Sequence, residues 1–338
     1  MANDNLPLVS VVIPTRNEAH FIEDALTKIL ENDYPSDLIE ILVVDGGSND
    51  GTIDIVKSMA AEHPNIRLLG GPGVNCPAGM NIGIQNSKGE IVCKVDAHGY
   101  IDRRFIKLGV DHIRSDKDIK CAGGPIRAMP KGLVEESSVL ARCSVFGVGG
   151  GINTIGEEPQ FVDTVQCGIY EKKVFDAVGL FDESMQFGED EEINWRIIKA
   201  GYKIYCTPEI KFHYYPRKSF RAFYRQYFNY GRARVKVCRK HRNFLRIKHV
   251  IPSAFVLSLL ASAILAFFVH DLFIWVFVAI VGLYLLASLF VSASISARSG
   301  WRYFAALPIS FACLHFGYGL GFLRGILDLV MPKRKAAR

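Results

Sequence analysis

The N-terminal part of the chain alternates short β-branched runs with stretches of helical periodicity. Residues 9–13 and 39–44 are rich in valine and isoleucine, and the segment 18–31 between them has apolar side chains at the spacing of one helix face. The alternation continues with a helix at about 53–63, a strand at 66–69, a helix at 80–85 and a strand at 90–95. This order predicts parallel βαβ units, and therefore an open α/β sheet whose ligands bind beyond the carboxyl ends of its strands.

The pattern loosens over residues 101–156, where the glycine-rich segment 147–151 stands out. This segment is either the flexible border of an acceptor cleft or a linker. Two further strands are expected at 164–170 and 204–207, and a helix that begins near Glu189 lies between them.

The composition changes sharply near His249. Residues 250–269 carry no charge and residues 272–297 form a longer apolar run, so both are long enough to span a bilayer. Only two residues separate these runs. The short connection predicts a hairpin that returns Arg298 and Arg302 to the cytoplasmic side, as the positive-inside rule favours.

A third apolar stretch, 303–323, leaves two topologies open. If it spans, Arg324 and the basic tail 333–335 lie outside, against the charge bias; if it is re-entrant or interfacial, they stay inside. Gly317, Gly321 and Gly325 lie on one helix face, which predicts close packing against another helix.

The net charge of +6 is concentrated just before the apolar runs. No acidic residue lies between Glu209 and Asp271, whereas arginine and lysine are frequent there. Such a block is typical of a cytoplasmic flank that faces anionic lipids, and no nucleic-acid partner is expected. Aromatic residues at helical spacing over 220–227 predict a helix that lies in the membrane interface or packs on the catalytic domain.

The N-terminus and the cysteines indicate the compartment. Residues 1–10 lack the basic and apolar regions of a signal peptide, so the first domain is expected in the cytoplasm. The eight cysteines include no C-x-x-C pair, which favours buried thiols over disulfides or zinc ligands. We expect a catalytic domain at 1–215, basic amphipathic interfacial helices at 216–249 and a transmembrane anchor at 250–338.

Two strand-end motifs carry a family resemblance, VVIPTRNE at residues 11–18 and VVDGGSNDGT at residues 43–52. Together they resemble the opening of family 2 glycosyltransferases, which have the GT-A fold, a Rossmann-like α/β domain with a mostly parallel sheet. The resemblance implies donor-binding roles for Pro14, Arg16, Glu18 and Asp45. A carboxylate such as Asp45 at a strand end can accept hydrogen bonds from a nucleobase or a ribose hydroxyl. Asp50 and Thr52 are better explained as turn and helix-cap residues.

The segment KVDAH at residues 94–98 occupies the place of the family's D-x-D motif. Side chains two apart on an extended chain point the same way, so Asp96 and His98 can share a metal ion, although a solvent-facing turn is the rival interpretation. The resemblance implies a divalent metal at the donor diphosphate, and the histidine favours Mn²⁺ over Mg²⁺. The D-A-H form is similar to that of bacterial exopolysaccharide glucosyltransferases of the succinoglycan type, which implies a multi-pass protein of the inner membrane.

The segment FGEDEE at residues 187–192 matches the family's E-D motif at a helix start. By the resemblance, Asp190 is the general base that takes the proton of the acceptor hydroxyl, and Glu189 shapes its site. Four acids at a helix start could instead simply favour the macrodipole. That alternative explains Glu191 and Glu192 but not the matching segment 178–183 before them.

His213 and the segment 226–232 resemble the part of the family that closes over the donor diphosphate. His213 could ligate the metal, and Arg232 or Arg234 could pair with phosphate oxygens; lipid contacts or core packing explain each equally well. The Q-x-x-R-W signature of processive synthases is absent from the sequence. The resemblance therefore implies a non-processive enzyme.

The resemblance covers residues 8–240. It implies an inverting transferase that moves a sugar, for which glucose is the first candidate, from a UDP-sugar to a polyprenyl-diphosphate-linked oligosaccharide. One alternative is transfer to polyprenyl phosphate, which gives a lipid-linked monosaccharide. Another is an inactive scaffold that docks other membrane enzymes. The presence of Asp45, Asp96 and Asp190 together argues against the scaffold.

Overall fold

The computed structural model describes residues 6–148, 158–241 and 244–331. The chain divides into two compact units, Met1–Met129 with Thr154–Tyr215, and Pro130–Asn153 with Pro216–Arg338. The second unit thus takes in residues 130–153, which the sequence analysis assigned to the catalytic domain. Part of the glycine-rich segment, 149–151, and the basic tail 333–335 lie outside the described residues.

All the described strands belong to the first unit. They are β1 Val9–Thr15, β2 Ile39–Asp45, β3 Ile66–Gly70, β4 Ile91–Lys94, β5 Gly99–Ile101, β6 Ile119–Gly123, β7 Ile126–Ala128, β8 Gln160–Phe161, β9 Ile169–Glu171, β10 Lys203–Cys206 and β11 Phe212–Tyr214. Eight of these described strands form one sheet in the order β3-β2-β1-β4-β9-β6-β10-β8, and β5, β11 and β7 form a smaller one. The expected α/β sheet is confirmed.

The first four strands of the large sheet run parallel, as the βαβ pattern predicts. Their β-branched runs are continuous because β1 and β2 are buried on both faces. Beyond β4 the sheet becomes mixed, since β9 is antiparallel to both β4 and β6. This antiparallel strand, which follows β6 in the chain, lies between β4 and β6 in the sheet.

The described helices are divided between the two units. The first unit has α1 Ile22–Leu30, α2 Thr52–Glu62, α3 Cys76–Asn86, α4 Phe105–Ser115, α7 Val174–Val178 and α8 Glu189–Lys199, and the second has α5 Leu133–Cys143, α6 Val145–Val148, α9 Phe220–Lys240, α10 Ile247–Phe268, α11 Leu272–Ser299 and α12 Ala306–Val330. Of the apolar face predicted for α1, Ile22, Ala25, Leu26 and Ile29 are buried, whereas Phe21 precedes the helix and is half-buried. The helical periodicity of this segment therefore marks its core-facing side.

Two elements of the first unit differ from their predicted bounds by four residues or more. Helix α3 begins four residues earlier than expected because the side chain of Asn75 caps it, accepting from the Ala78 amide at 3.0 Å. The strand expected at 164–170 is reduced to β9. Cys167 has a φ of 50°, in the left-handed region, which interrupts the extended backbone just before that strand.

Glycines allow two helices of the second unit to approach closely. A Cβ on Gly321 of α12 would lie 2.0 Å from the carbonyl oxygen of Phe228 in α9, and one on Gly231 of α9 would lie 2.1 Å from that of Tyr318. The predicted close packing along the face of Gly317, Gly321 and Gly325 is therefore confirmed. The partner helix is α9, whose aromatic residues were expected to contact the membrane interface or the catalytic domain.

Candidate active site

Three neighbouring parallel strands of the large sheet end within the three sequence motifs, 11–18, 43–52 and 94–98. Strand β1 ends at Thr15, β2 at Asp45 and β4 at Lys94, and β1 pairs with both of the others. The carboxyl ends of parallel strands meet at one edge of a sheet. The segments that follow these strands therefore form one face of the first unit, where a ligand of an α/β protein is expected.

Hydrogen bonds tie the loop after β1 to the loop after β2. The amide of Asn17, a residue with a φ of 58°, donates to Ser48 Oγ at 2.8 Å. The Ala19 amide donates to Asp50 Oδ2 at 3.1 Å, and the Thr52 hydroxyl donates to Asp50 Oδ1 at 2.5 Å. Asp50 thus has the expected turn role, whereas Thr52 is the first residue of α2 and not its cap.

Asp45 is buried and organises its own turn. Its Oδ2 accepts from the amides of Gly47 and Ser48 at 2.7 and 3.0 Å, and its Oδ1 accepts from the Ser48 hydroxyl at 2.5 Å. Gly47 has a φ of 90°, which a residue with a side chain rarely adopts. Most of the acceptor capacity of Asp45 is therefore used within the protein, and it holds the backbone that faces the expected nucleotide site.

A buried ammonium group lies at the centre of the site. Only 1% of the Lys94 side chain is exposed, and its Nζ donates to both carboxylate oxygens of Asp190 at 2.7 Å and to Glu189 Oε1 at 3.1 Å. These bonds use all three protons of the ammonium. The Nζ also lies 3.8 Å from Asp96 Oδ1. Lys94 thus joins the end of β4 to the start of α8.

The pKa values of this cluster follow from its burial and its charges. Burial alone would lower the pKa of Lys94, but the carboxylates of Asp190, Asp96 and Glu189 hold it well above its usual value. Burial raises the pKa of Asp190 to about 7, against the opposing effect of Lys94. Burial also disfavours ionised Asp96, yet Lys94 and then His98 bring its pKa below the ordinary value. A carboxylate with a pKa near neutrality suits a general base.

Asp96 and His98 lie on the more open side of the cluster. Their side chains are 28% and 34% exposed, and His98 Nδ1 lies 3.8 Å from Glu18 Oε1. The thiol of Cys167 lies beside the Asp96 carboxylate and also lowers its pKa. Among the described residues, no three potential ligands are arranged as a formed metal site. The donor set still fits a divalent cation, because carboxylates outnumber the single ammonium beside Asp96 and an imidazole is close by.

The remaining predicted site residues of the first unit are His213, Arg16 and Pro14. His213 stacks on Tyr100 with ring centroids 4.9 Å apart, and its buried Nδ1 has no hydrogen-bond partner among the described residues. Burial lowers the pKa of His213, so the neutral ring that a metal requires is favoured. Arg16 is exposed, and Pro14 lies against the backbone of α3, where a Cβ on Gly79 would be 3.2 Å from it. The role of His213 as a metal ligand stays a prediction.

The two candidate phosphate-binding arginines belong to the second unit. The Nε of Arg232 donates to Asp328 Oδ2, and Arg324 pairs with the other oxygen of Asp328 at 3.2 Å. The guanidinium of Arg234 lies 5.1 Å from the ring centroid of Phe244. Each arginine thus has a partner within its own unit, which favours the packing alternative for both.

Sequence reasoning did not assign a role to Lys94 or Cys167. The need of Lys94 for charged partners could have been recognised from the sequence, because a charged residue in a strand that is otherwise buried needs them. No feature of the sequence indicated a role for Cys167, since its contact with Asp96 depends on the left-handed turn before β9.

A Rossmann-like sheet with carboxylates at its strand ends is what a GT-A fold requires, and similarity to known proteins supports that fold. Residues 10–153 match the sequence model of Glycosyl transferase family 2. The Succinoglycan biosynthesis protein ExoA of Rhizobium meliloti is 28% identical over 333 residues, covering 97% of this chain and 98% of that protein. The chain is therefore a glycosyltransferase, and its residues 10–153 resemble the domain of family 2.

Two further proteins resemble nearly the whole chain. The dolichyl N-acetyl-alpha-D-glucosaminyl phosphate 3-beta-D-2,3-diacetamido-2,3-dideoxy-beta-D-glucuronosyltransferase of Methanococcus voltae is 27% identical over 326 residues, covering 94% of this chain and 97% of that protein. The solved structure of mannosyltransferase PcManGT from Pyrobaculum calidifontis, in complex with GDP-Man and Mn²⁺, has a TM-score of 0.64 at 19% identity, covering 96% of this chain and 88% of that one. The structural likeness confirms the GT-A fold.

Proposed function

We propose that this glycosyltransferase is an inverting, non-processive and metal-dependent enzyme. It moves a sugar, for which glucose is the first candidate, from a UDP-sugar to a polyprenyl-diphosphate-linked oligosaccharide in exopolysaccharide synthesis. The observation that carries the proposal is the ammonium of Lys94 held between Asp96 after β4 and the Glu189–Asp190 pair at the start of α8. This contact brings the expected metal-binding motif and the expected general base into one site.

Asp190 is the proposed general base. Each of its oxygens keeps a second lone pair while it accepts from Lys94, so the carboxylate can take a proton without releasing the ammonium. The acceptor oxygen attacks the anomeric carbon as its proton passes to Asp190, and the bond from that carbon to the diphosphate breaks on the opposite side. This in-line displacement inverts the anomeric configuration and releases the nucleoside diphosphate.

Asp96 and His98 are the proposed metal ligands, with His213 as a third candidate. A bound Mn²⁺ or Mg²⁺ would neutralise the diphosphate leaving group. The related mannosyltransferase was solved in complex with Mn²⁺, which supports a divalent ion at this fold. Asp45 and the backbone near Pro14, Arg16 and Glu18 are proposed to hold the nucleotide. The pairing of Arg232 with Asp328 argues against the role at the donor phosphates that was expected of this arginine.

The acceptor is proposed to be a lipid-linked saccharide. Two named relatives support this class, one by its role in succinoglycan biosynthesis and one by a name that places the sugar on a dolichyl phosphate-linked residue. Both align with this chain over more than nine-tenths of its length. Sugar transfer is therefore assigned to the first unit, and attachment to the membrane that carries the acceptor is assigned to the second.

The second unit supports a membrane anchor at α10 and α11. In the described chain, α10, α11 and α12 are long and apolar enough to cross a membrane. Helix α11 buries three serines, Ser288, Ser292 and Ser296, while Trp275 and Phe290 on its surface are 71% and 77% exposed. Small polar residues inside and large apolar residues outside are typical of a helix that packs in lipid. We propose an inner-membrane location, with the first unit in the cytoplasm.

An assay of the full chain in detergent tests this function. The protein is incubated with Mn²⁺, a panel of UDP-, GDP- and dTDP-sugars, and either a polyprenyl-diphosphate oligosaccharide or polyprenyl phosphate. Transfer of one sugar from a UDP-sugar to the oligosaccharide supports the proposal. A lipid-linked monosaccharide as the sole product would instead establish the polyprenyl-phosphate activity. The absence of both sugar transfer and donor hydrolysis with every sugar in the panel would indicate the inactive scaffold.

A further inference from the structure

The three long apolar helices of the second unit differ in how far the protein surrounds them. Helix α12 buries 11 of its 25 residues, whereas α10 buries four of 22 and α11 three of 28. A helix that spans a bilayer at the edge of a small bundle keeps a broad face toward lipid, as α10 and α11 do. Helix α12 is instead packed along one side against other helices of its unit, and Ile309, Ile326, Leu327 and Val330 are left exposed.

The C-terminal half of α12 lies along α9. A Cβ on Gly317 would be 2.9 Å from the carbonyl oxygen of Tyr224, one on Gly321 would be 2.0 Å from that of Phe228, and one on Gly325 would be 3.0 Å from that of Arg232. Each step of four residues along α12 thus matches a step of four along α9. The two helices run side by side in the same direction.

Helix α9 is too basic to lie in hydrocarbon. Its 21 residues carry seven cations and no acid, and five of the cations are exposed. The exposed cations are Arg221, Arg225, Lys236, Arg239 and Lys240. Each charge is costly at the centre of a bilayer but favourable beside anionic headgroups. Because α12 runs beside α9, it must lie at the same depth.

The N-terminal half of α12 packs against α5 and α6. Ser310 Oγ donates to Ser137 Oγ in α5 at 3.2 Å, and the ring of Phe311 packs edge-on against Phe146 in α6. Helix α5 carries Glu136, which pairs with Arg302 at 3.0 Å just before α12 begins. Both halves of α12 are therefore packed against elements that carry charges.

We infer that α12 does not cross the membrane. Helices α9 and α12 lie together on the lipid surface, with the cations of α9 beside anionic headgroups, and only the α10–α11 hairpin crosses. The end of α12 at Val330 therefore lies on the same side of the membrane as α9. The apolar composition of α12 reflects its packing against α5, α9, α10 and α11 and its place at the lipid surface, and not a passage through the bilayer. This inference rests on the proposed function only in requiring that the hairpin spans.

Epitope mapping of the full chain tests the inference. One variant carries a short epitope after Arg338, a second carries it between His270 and Asp271, and a third carries it at the N-terminus. Antibody access is compared in intact spheroplasts and in permeabilised ones. We expect the hairpin epitope to be accessible from outside, and the two terminal epitopes to be accessible only after permeabilisation.

The possible failures distinguish an error in the proposed membrane anchor from an error in the inference about α12. A C-terminal epitope that is accessible from outside, together with an accessible hairpin epitope and a protected N-terminus, would show that α12 spans and would overturn the inference. A hairpin epitope that is protected from outside would remove the proposed anchor and this inference with it. Sugar transfer by each tagged protein, measured separately, reports whether the tagged chain is folded and does not depend on where α12 lies.

Discussion

The ammonium of Lys94 lies 2.7 Å from both carboxylate oxygens of Asp190, two residues that are 96 positions apart in the chain. Lys94 ends a central strand of the sheet, and Asp190 is in the first turn of α8. The contact therefore fixes the helix start on the strand end that precedes Asp96. A proposed base and a proposed metal ligand are held in one place by a single buried cation.

Replacement of Asp190 by Asn tests the base. Asn keeps the size of the side chain but cannot accept the acceptor proton, so turnover should fall by roughly two to four orders of magnitude. Nucleotide affinity should change little, because the proposed donor-binding groups, Asp45 and the loops after β1 and β2, do not include Asp190. Turnover with saturating donor and titration calorimetry with UDP measure the two effects.

Glu191→Gln is the matched control for this substitution. Glu191 follows Asp190 by about 100° around the helix, and its replacement should be far milder. A wild-type rate for Asp190→Asn together with inactivity of Glu189→Gln would show that the base is the neighbouring residue. Activity of all three variants would mean that the acidic run serves only the helix start.

Replacement of Lys94 by Met tests the buried pair. Removing one partner leaves Asp190 and Glu189 buried without their cation, so we expect a loss of about 3–5 kcal/mol in stability. The apparent midpoint of thermal unfolding in detergent should fall by several degrees. Lys120→Met is the control, because Lys120 pairs with Glu171 on the same sheet where both side chains are more exposed, and it should cost about 1 kcal/mol or less.

The double variant Lys94→Met/Asp190→Asn separates a charge effect from a packing effect. Asp190→Asn removes one of the buried charges that Lys94→Met leaves unpaired, so the double variant should unfold at a higher temperature than Lys94→Met alone. If the two destabilising effects simply add, the ion pair is not what holds α8 to β4.

Much of the fold was predictable because burial on both faces leaves a strong sequence pattern. The runs at 9–13 and 39–44 became β1 and β2, each slightly longer, since Thr15 still pairs with Asp45. Pro14 did not end β1, because pairing with β4 stops at Val12 and Pro14 has a strand neighbour on one side only. Composition alone could not show this.

The site was less predictable because its contacts join distant parts of the chain. The motifs identified Asp96 and Asp190, but nothing local shows that Lys94 joins them. Arg232 was a candidate for the donor phosphates, and its pairing with Asp328 depends on the approach of α9 to α12. That approach depends in turn on glycines whose partner helix the sequence did not specify.

The pH dependence of transfer should report Asp190. Burial raises its pKa to about 7, so the carboxylate is protonated below that pH and cannot act as a base. The value of kcat/KM should therefore fall about tenfold per pH unit on the acidic side and level off above neutrality. Initial rates between about pH 5 and 9 measure this, and Glu191→Gln should keep the same inflection. A profile that is flat from pH 5 upward would contradict the assignment.

Replacement of Asp96 by Ala tests the metal. Departure of a nucleoside diphosphate without neutralisation of its charge is strongly unfavourable, so loss of a ligand carboxylate should abolish both turnover and the response to Mn²⁺. Lys94 has Asp190 and Glu189 as closer partners than Asp96, so the cluster that holds α8 should survive the substitution.

Two measurements make the Asp96 test decisive. Turnover is titrated with Mn²⁺ in both proteins, and direct binding of Mn²⁺ in the presence of UDP is followed by its paramagnetic effect on water relaxation. We expect Asp96→Ala to lose both, while Asp33→Ala, whose carboxylate pairs with Arg103 on an exposed surface, loses neither. Full activity of Asp96→Ala in EDTA would exclude Asp96 as the ligand that the reaction requires. Retained Mn²⁺ binding without turnover would instead assign Asp96 to the positioning of the donor, and His98 and Glu18, which lie 3.8 Å apart, would become the ligands to replace next.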